Sequence, residues 1–297
     1  MQKTLISVSG ATAIGKTNFA IELAQKLQNE IISCDSRQFY KEMTIGTAKP
    51  SKEELKKIPH HFINNISIHQ SYSVGQFERE AIEIIEKLLA THNAVIMVGG
   101  SGLYEKAILE GLDQFPETTI ETRNYLNQLF LNEGIESLQK LLKEKDEEYF
   151  NEVDIHNSQR IIRALEVCID SGKPFSSFRK KSSQQRNFKV IRIGLQAPRE
   201  TIYERINDRV EKMFEQGLQQ EAQNLYEFRT YNALQTVGYQ EIFQFLEGKI
   251  SLTEAKEEIK KNTRRFAKRQ QTWYNKQHNI KWIDYDKTKD FMNEFQI

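Results

Sequence analysis

A loop bounded by glycines, GATAIGKT at residues 10–17, lies between an apolar run and a helical pattern near the start of the chain. Residues 5–8 predict a buried strand, and residues 16–28 have the apolar spacing of a helix. The loop matches the pattern G-x-x-x-x-G-K-[ST], in which backbone N–H groups and a lysine surround a phosphate group. A strand, this loop and a helix in that order predict an α/β fold with a phosphate site at the carboxyl end of a strand.

Four more apolar runs predict strands, and helical patterns lie around them. The runs cover residues 31–34, 94–98, 190–195 and 280–283. The helical patterns cover residues 75–92, 102–110 and a long series from 198 to 277. Because strands alternate with helices, the sequence predicts an α/β fold whose core is a P-loop NTPase-like parallel sheet with helices on both faces.

The stretch from about 117 to 185 differs from the rest of the chain. It has a helical pattern, many Glu, Lys, Gln and Asn residues, and no strand signal. We therefore interpret 1–116 as the first part of the core, 117–185 as an inserted helical subdomain, and 186–297 as the second part of the core with a basic C-terminal helix. Pro116 and the polar, basic run at 179–186 are the candidate hinges.

Composition and residue spacing exclude several classes of protein. With 38% hydrophobic and 28% charged residues, the 297-residue chain can form a sizeable globular core, and its net charge of +1 indicates no overall polyanion-binding surface. Cys34 and Cys168 lack CxxC spacing, and His60 and His61 have no second ligand group at useful spacing, so we assign no disulfide framework and no zinc site. We find neither a signal-peptide pattern nor an apolar run of membrane-spanning length, and we expect a cytoplasmic protein without a membrane partner.

The loop supplies the groups that a bound di- or triphosphate requires. Lys16 adds a positive charge, and the Thr17 hydroxyl can ligate Mg²⁺, the one cofactor we expect. The motif alone does not identify the nucleotide or other molecule that carries the phosphate. The predicted phosphate-binding residues of the loop are Gly10, Thr12, Ala13, Ile14, Gly15, Lys16 and Thr17.

Two further strand ends carry chemical groups. A P-loop NTPase usually has an acidic residue for Mg²⁺ at the end of a second strand, but the run at 94–98 continues into GGSG at 99–102. The run at 31–34 does end in a carboxylate, Asp35. An aspartate at this position can bind metal or act as a general base, and the alternative is that it forms a turn or caps a helix.

Nine segments, spread in order over nearly the whole chain, together carry a family resemblance. They are GATAIGKT (10–17), DSRQFYKEMTIGTAKPS (35–51), PHHF (59–62), YSVGQFEREA (72–81), VGGSGLYEKAILEGL (98–112), NSQRIIRALEV (157–167), RINDRVEKMFEQGL (205–218), VGYQE (237–241) and RRFAKRQQTWY (264–274). The chain resembles the bacterial tRNA dimethylallyltransferases, also called tRNA isopentenyltransferases. The IGTAKP and GG[ST]-x-LY elements are specific to that family, whereas the phosphate loop is not.

The resemblance implies a reaction and roles for several residues. The dimethylallyl group of dimethylallyl diphosphate would pass to N6 of the adenosine just 3′ of a tRNA anticodon, so the loop would hold the donor's diphosphate. Asp35 matches the catalytic aspartate and would be the general base. Ser101, which stands where the family most often has threonine, would be the second catalytic residue, its hydroxyl helping to position the amine or the diphosphate. Arg209 matches an arginine that faces the diphosphate, where Lys16 and Mg²⁺ on Thr17 would stabilise the departing charge.

The resemblance also implies contacts with the anticodon stem-loop of tRNA. The DSRQ element would line the adenine pocket, Arg123 would lie just inside the insertion, and QRIIR would contact the RNA. The implied tRNA-binding residues are Asp35, Ser36, Arg37, Gln38, Ser101, Arg123, Gln159, Arg160, Ile161, Ile162 and Arg163.

The last long helix permits two interpretations. Its basic residues and interleaved aromatic residues fit RNA binding, and they fit equally well an amphipathic core helix with a solvated basic face. The residues concerned are Lys260, Lys261, Arg264, Arg265, Lys268, Arg269, Phe266, Trp273 and Tyr274.

Two other functions compete with the transferase hypothesis. A small-molecule P-loop kinase that uses ATP would fit the loop and Asp35, but it would leave the IGTAKP and GGSGLY segments unexplained. A non-catalytic RNA-binding protein would leave the intact phosphate loop and Asp35 without a purpose. We expect a monomer that binds tRNA and dimethylallyl diphosphate.

Overall fold

The computed structural model describes residues 3–179 and 185–296, which form two compact units. Met1–Glu110 and Gln185–Ile297 make up the first unit, called the core unit below, and Gly111–Gln184 make up the second, the helical unit. Our sequence interpretation placed the first of these boundaries a little later in the chain, at 117. Within the predicted hinge at 179–186, residues 180–184 lie outside the described part of the chain.

The core unit contains a six-stranded sheet in which all neighbouring strands are parallel. The strands are β1 (Thr4–Gly10), β2 (Ile31–Ser33), β3 (His60–His61), β4 (Ala94–Val98), β5 (Lys189–Gln196) and β6 (Ile280–Asp284). Their order across the sheet is β3-β2-β4-β1-β5-β6. The predicted parallel α/β core is therefore confirmed, and β1, which leads into the phosphate loop, lies inside the sheet.

Helices connect the strands and cover the sheet. Those of the core unit are α1 (Lys16–Lys26), α2 (Lys52–Lys57), α3 (Val74–Thr91), α4 (Gly102–Glu110), α9 (Arg199–Glu215), α10 (Leu218–Asn224), α11 (Tyr239–Leu246), α12 (Leu252–Tyr274) and α13 (Thr288–Glu294). Those of the helical unit are α5 (Ile120–Glu133), α6 (Ile135–Lys145), α7 (Glu147–Glu152) and α8 (Ser158–Ser171).

The alternation of side chains along the strands gives the core unit a hydrophobic layer on each face of its sheet. Leu5 of β1 and Val95 of β4 pack in one layer, with helix α3. Ile6 and Ile96, the next residues in each strand, pack in the other layer. This period of two fixes the strand register, because a shift by one residue would exchange the two faces.

The helical unit has a hydrophobic core of its own. Leu126 of α5, Leu138 of α6 and Leu165 of α8 are fully buried in it. Polar side chains cap two of its helices. The Thr119 hydroxyl accepts a hydrogen bond from the Thr122 N–H at 3.2 Å, and the Asn157 side chain caps α8 in the same way. In the described residues of both units, no helix is long and apolar enough to cross a membrane.

Candidate active site

The phosphate loop has a conformation that depends on its glycines. Gly10 has a φ of 144° and Gly15 a φ of 108°, which side-chain-bearing residues rarely adopt. A Cβ on Gly10 would also lie 2.7 Å from the carbonyl oxygen of Leu195 in β5. The loop is thus packed directly against the sheet, and helix α1 begins at Lys16, immediately after Gly15.

Lys16 lies over the phosphate loop. Its Nζ donates hydrogen bonds to the carbonyl oxygens of Gly10 at 3.0 Å and Ala11 at 2.8 Å. Burial lowers the pKa of Lys16 to about 8, although the nearby Asp35 carboxylate opposes that shift. Among the described residues, the hydrogen-bond partners of this ammonium are carbonyl groups, so it is well placed to gain from an incoming anion.

Two arginines of α9 reach the same loop. Arg205 donates from Nη1 to the Ile14 carbonyl oxygen at 2.9 Å, and Arg209 donates from Nη1 to the Thr12 hydroxyl at 3.2 Å. The guanidinium of Arg205 also lies over the ring of Tyr285, 4.7 Å from its centroid. The spacing of four residues places both side chains on one helix face, so the structure brings this pair to the predicted phosphate site.

Asp35 follows β2 and offers one unoccupied carboxylate oxygen. Its Oδ1 accepts a hydrogen bond from the Arg37 N–H at 3.2 Å, and its Oδ2 accepts none from the described residues. Burial raises the pKa of Asp35, while the positive charges of Lys16, Arg37 and Arg209 act in the opposite direction. The result is a carboxylate that is more basic than usual and has an oxygen free for a substrate.

Ser101 lies beside Asp35 because strands β2 and β4 are neighbours. Its Oγ accepts a hydrogen bond from the Ser36 N–H at 3.0 Å and shares another with the Ser36 hydroxyl, also at 3.0 Å. Its carbonyl oxygen accepts the Glu105 N–H at 3.0 Å, in the first turn of α4. The hydrogen bonds between Ser36 and Ser101 therefore join the loop that follows β2 to the loop that follows β4.

The glycines of the GGSG segment allow two close contacts around this site. A Cβ on Gly99 would lie 2.5 Å from the backbone of Cys34, and one on Gly100 would lie 2.6 Å from Nε2 of Gln270. Gln270 Oε1 accepts the Thr12 N–H at 2.8 Å, and its Nε2 donates to the Gly100 carbonyl oxygen at 2.8 Å. We did not single out Gln270 from the sequence, although it lies in the RRFAKRQQTWY segment.

The aromatic residues of helix α12 lie in two different environments, and their contact with RNA stays a prediction. Trp273 packs against Gly102, where a Cβ would lie 2.2 Å from its indole Nε1, and Tyr274 is buried. Phe266 is instead 39% exposed, with the guanidinium of Arg269 over its ring. Trp273 and Tyr274 therefore pack against the protein, while Phe266 and Arg269 lie at the surface.

Two residues of the DSRQ element bind protein backbone. Gln38 donates from Nε2 to the Ala48 carbonyl oxygen at 3.2 Å. Arg37 donates from Nη1 to the carbonyl oxygens of Asn232 at 2.8 Å and Ala233 at 2.9 Å. Both side chains thus position loops near Asp35, and their contact with RNA stays a prediction.

The TIGTAKP loop is held by a residue that we did not predict. The carboxylate of Glu221 accepts hydrogen bonds from the backbone N–H groups of Thr44, Ile45 and Gly46, at 2.9–3.0 Å. It also accepts the hydroxyl of Tyr239, whose ring lies so close to Gly46 that a Cβ there would be 2.5 Å from it. Three backbone amides of the loop and the Tyr239 hydroxyl therefore share one carboxylate.

In the helical unit, two of the predicted RNA-binding arginines share one buried partner. Glu166 is 1% exposed, and its two oxygens accept hydrogen bonds from Nη1 of Arg123 at 2.9 Å and Nη1 of Arg163 at 3.1 Å. Arg123 also contacts Gln159, and Arg163 contacts Thr118. The side chains of Arg123 and Arg163 are 43% and 44% exposed, so this arrangement holds them in place while leaving them open to solvent.

The other residues of the QRIIR element differ in their surroundings. Arg160 is exposed, as is Gln159. Ile161 and Ile162 are fully buried, and their side chains belong to the hydrophobic core of the helical unit. The helical period explains this division, because 161 and 162 face the core while 160 and 163 face solvent.

The two adjacent histidines have partners within the protein. His61 Nε2 lies 2.6 Å from a carboxylate oxygen of Glu30, and His60 Nδ1 lies 2.8 Å from the carbonyl oxygen of Ile58. Both residues form the short edge strand β3. These contacts hold the two rings against protein groups, and whether the rings also line a substrate site stays open.

Comparisons with known proteins give a consistent family. A sequence model of the family described as IPP transferase matches residues 38–277. A protein of Christiangramia forsetii named tRNA dimethylallyltransferase is 54% identical over 286 residues, which cover 96% of this chain and 95% of that protein. A protein of the same name from Flavobacterium johnsoniae is 52% identical, with 95% of this chain and 94% of that protein covered.

Solved structures with the same fold include bacterial and eukaryotic proteins. A full-length tRNA isopentenylpyrophosphate transferase from Bacillus halodurans has a TM-score of 0.71 and 33% identity, covering 99% of this chain and 95% of that one. A eukaryotic dimethylallyltransferase described as acting on tRNA has a TM-score of 0.82 and 27% identity, covering 97% of this chain and 75% of that one.

Proposed function

This chain belongs to the IPP transferase family, and we propose that it transfers the dimethylallyl group of dimethylallyl diphosphate to N6 of the adenosine just 3′ of a tRNA anticodon. The observation that carries the proposal is the Oδ2 of Asp35, to which no described residue donates a hydrogen bond, in the same site as a complete phosphate loop. The identity of 54% to a protein named tRNA dimethylallyltransferase supports the roles proposed for Asp35 and the phosphate loop.

In the proposed reaction, Asp35 serves the acceptor. A bond forms between N6 and the first carbon of the dimethylallyl group, and the bond from that carbon to the diphosphate oxygen breaks, with its electron pair leaving on the diphosphate. The N6 lone pair is delocalised into the ring, so the amine needs a base for its proton. Asp35 Oδ2 accepts that proton, and the raised pKa of this carboxyl favours the transfer.

The phosphate loop serves the donor. Its backbone N–H groups and the start of α1 bind the diphosphate. Lys16 exchanges the carbonyl oxygens of Gly10 and Ala11 for phosphate oxygens, and Arg209 adds a second positive charge beside Thr12. These charges stabilise the negative charge that develops on the departing diphosphate.

The residues at the start of α1 fit a magnesium ion. The Thr17 hydroxyl makes no hydrogen bond to any described residue and is a hard oxygen ligand. Among the described residues, no three His, Cys, Asp or Glu side chains form a metal-binding group, so we infer that Thr17 and the diphosphate together hold the ion. When bound, Mg²⁺ neutralises charge on the leaving diphosphate.

The helical unit supplies the RNA contacts in this proposal. Arg123, Arg160 and Arg163 bind backbone phosphates of the anticodon stem-loop, which gives an affinity that decreases with salt concentration. The target adenosine leaves its base stack to reach Asp35.

A transfer assay with labelled dimethylallyl diphosphate, Mg²⁺ and an unmodified anticodon stem-loop tests the proposal. The wild-type protein should label the RNA, and Asp35→Asn should lose roughly 10²–10⁴-fold in rate. Asparagine can still accept the Arg37 N–H, so the variant should fold and retain RNA in a filter-binding assay. Asp286→Asn, at an exposed position, is the matched control.

The assay also separates the competing functions. Phosphorylation of a small acceptor by ATP, without label transfer to RNA, would replace the proposal by the kinase hypothesis. Binding of the stem-loop with no transfer of either group would indicate a non-catalytic RNA-binding protein.

A further inference from the structure

Gln270 joins two loops that carry different parts of the proposed chemistry. It lies on α12 and is 6% exposed. Its carboxamide accepts the Thr12 N–H of the phosphate loop and donates to the Gly100 carbonyl oxygen beyond β4, both at 2.8 Å. One planar group therefore fixes the separation of these two backbone segments.

The surroundings of Gln270 select a carboxamide. One partner is an N–H donor and the other is a carbonyl acceptor, so neither a carboxylate nor an apolar side chain can satisfy both. Gly100 leaves room for the amide, because a Cβ there would lie 2.6 Å from Nε2. The same Cβ would lie 3.4 Å from Oδ2 of Asp35, which places Gly100 between the carboxamide and the catalytic carboxylate.

Thr12 is held from two sides. Its N–H donates to Gln270, and its hydroxyl accepts a hydrogen bond from Arg209. This residue belongs to the part of the loop that precedes the lysine, so its position sets the shape of the diphosphate site. Gly100, at the other end of the bridge, directly precedes Ser101.

We propose that Gln270 is a positioning residue that sets the distance between the donor diphosphate on the phosphate loop and the acceptor amine at Asp35. The inference rests on the proposed function for its account of donor and acceptor. Group transfer depends steeply on the alignment of the reacting atoms, and a displacement of about 1 Å can cost roughly 10²-fold in rate. Gln270 acts through the loops and does not itself contact the reacting atoms.

Two variants of Gln270 test the proposal. Gln270→Met keeps the length of the side chain and removes both hydrogen bonds, and we expect kcat to fall about 10- to 100-fold with an unchanged KM for the stem-loop RNA. Gln270→Glu keeps the acceptor for Thr12 and adds a negative charge next to Asp35. This charge should raise the pKa of Asp35, so the acidic limb of the kcat/KM profile should move to higher pH.

Gln271 provides the matched control. It is the next residue of α12, and its side chain makes no hydrogen bond to a described residue. Gln271→Met and Gln271→Glu make the same chemical changes one position away, and both should retain the wild-type kcat and pH profile. A purely structural role of Gln270 would lower the thermal stability of Gln270→Met while the folded variant kept the wild-type kcat, and that result would overturn the proposal.

Binding of inorganic diphosphate, measured by calorimetry, gives a readout that does not depend on transfer. Gln270→Met should weaken this binding about 10-fold, since the loop is no longer fixed at Thr12. If the wild-type protein transfers no label, the proposed function fails, and the diphosphate affinities still decide whether Gln270 shapes the loop. Wild-type affinity and wild-type kcat in Gln270→Met would overturn the inference.

Gly100→Ala perturbs the bridge from its other side. The added Cβ lies 2.6 Å from Nε2 of Gln270 and in ordinary contact with Asp35, so it should displace the carboxamide first. We expect the same loss of kcat as in Gln270→Met, including in the event that Gln270→Met does not fold. A wild-type rate in Gly100→Ala would contradict the proposal.

Discussion

Both units bury a glutamate next to side chains that the proposed function uses, but the two carboxylates have different partners. Glu105 of the core unit is 3% exposed, and its Oε1 accepts hydrogen bonds from the Ser7 and Ser9 hydroxyls, both at 2.7 Å. Glu166 of the helical unit is 1% exposed and is bonded to the guanidinium groups of Arg123 and Arg163. The carboxylate of Glu105 thus accepts hydrogen bonds from neutral hydroxyl groups, whereas that of Glu166 accepts them from two cations.

The difference fits the ligand that each region is proposed to bind. Burial lowers the pKa of Lys16, and the charge of Glu105 is one of the nearby negative charges that oppose this shift. Glu166 neutralises one of two arginine charges and leaves the pair with an excess positive charge at the surface. A small diphosphate requires the first arrangement, and a long phosphate backbone can use the second.

The largest effect should come from removing the cation in the core unit. Lys16→Met should reduce kcat/KM for transfer by about 10²–10³-fold, since it removes a charge that faces the developing anion. RNA affinity in a filter-binding assay should stay at the wild-type value. Lys87→Met, on an exposed face of α3, is the control. Loss of RNA binding in Lys16→Met would show that the two regions do not divide the substrates as proposed.

The next effect concerns the stability of the helical unit. Glu166→Gln removes the charge that two arginines share, and we expect unfolding free energy to fall by about 2 kcal/mol, below the roughly 3–5 kcal/mol for a fully buried pair because both arginines are partly exposed. Urea denaturation followed by circular dichroism measures this change. RNA affinity should fall several-fold as the arginines lose their common orientation. An unfolding free energy equal to that of the wild type would mean that the ion pairs of Glu166 orient the two arginines but contribute little to stability.

A smaller effect is the pH dependence of diphosphate binding. The pKa of Lys16 is lowered by burial to about 8, so the free protein loses this positive charge as pH rises through 8, whereas a bound anion favours the protonated form. Affinity for inorganic diphosphate should therefore fall above pH 8, by at most about 10-fold per pH unit. Lys16→Arg stays charged and corrects for the titration of the ligand itself. A constant ratio between the two proteins across this range would contradict the shifted pKa.

The fold was predictable from sequence wherever periodicity or a motif was strong. The apolar runs of β1, β2, β4, β5 and β6 predicted the parallel sheet, whereas β3 consists of His60 and His61 and has no apolar alternation. Helix α2 was missed, although Ser51 and Glu54 form a capping box whose spacing is readable in the sequence.

The candidate site was less predictable, because several of its residues act across long chain separations. The Thr12 N–H and the Gln270 carboxamide are 258 positions apart. Glu221 binds the TIGTAKP loop in the same way, through backbone amides that no local pattern identifies. Motifs identify the groups that face a ligand, whereas the side chains that hold those groups become visible only in three dimensions.

The smallest effect should come from the buried carboxylate of the core unit. Glu105→Gln keeps an oxygen that can accept both serine hydroxyls and removes only the charge, so the unfolding free energy should fall by about 1 kcal/mol or less, half or less of the change in Glu166→Gln. Tryptophan fluorescence during urea denaturation measures it, because Trp273 and Trp282 both lie in the core unit.

The Glu105 variant should also change the binding of diphosphate. Without the nearby negative charge, the pKa of Lys16 should fall further, so the loss of diphosphate affinity should begin at a lower pH than in the wild type. Glu86→Gln, on the exposed side of α3, is the control for both measurements. If Glu105→Gln proves as destabilising as Glu166→Gln, neutral hydroxyls and guanidinium groups would stabilise a buried carboxylate equally in this protein, and the contrast between the two units would lie only in which ligand their cations face.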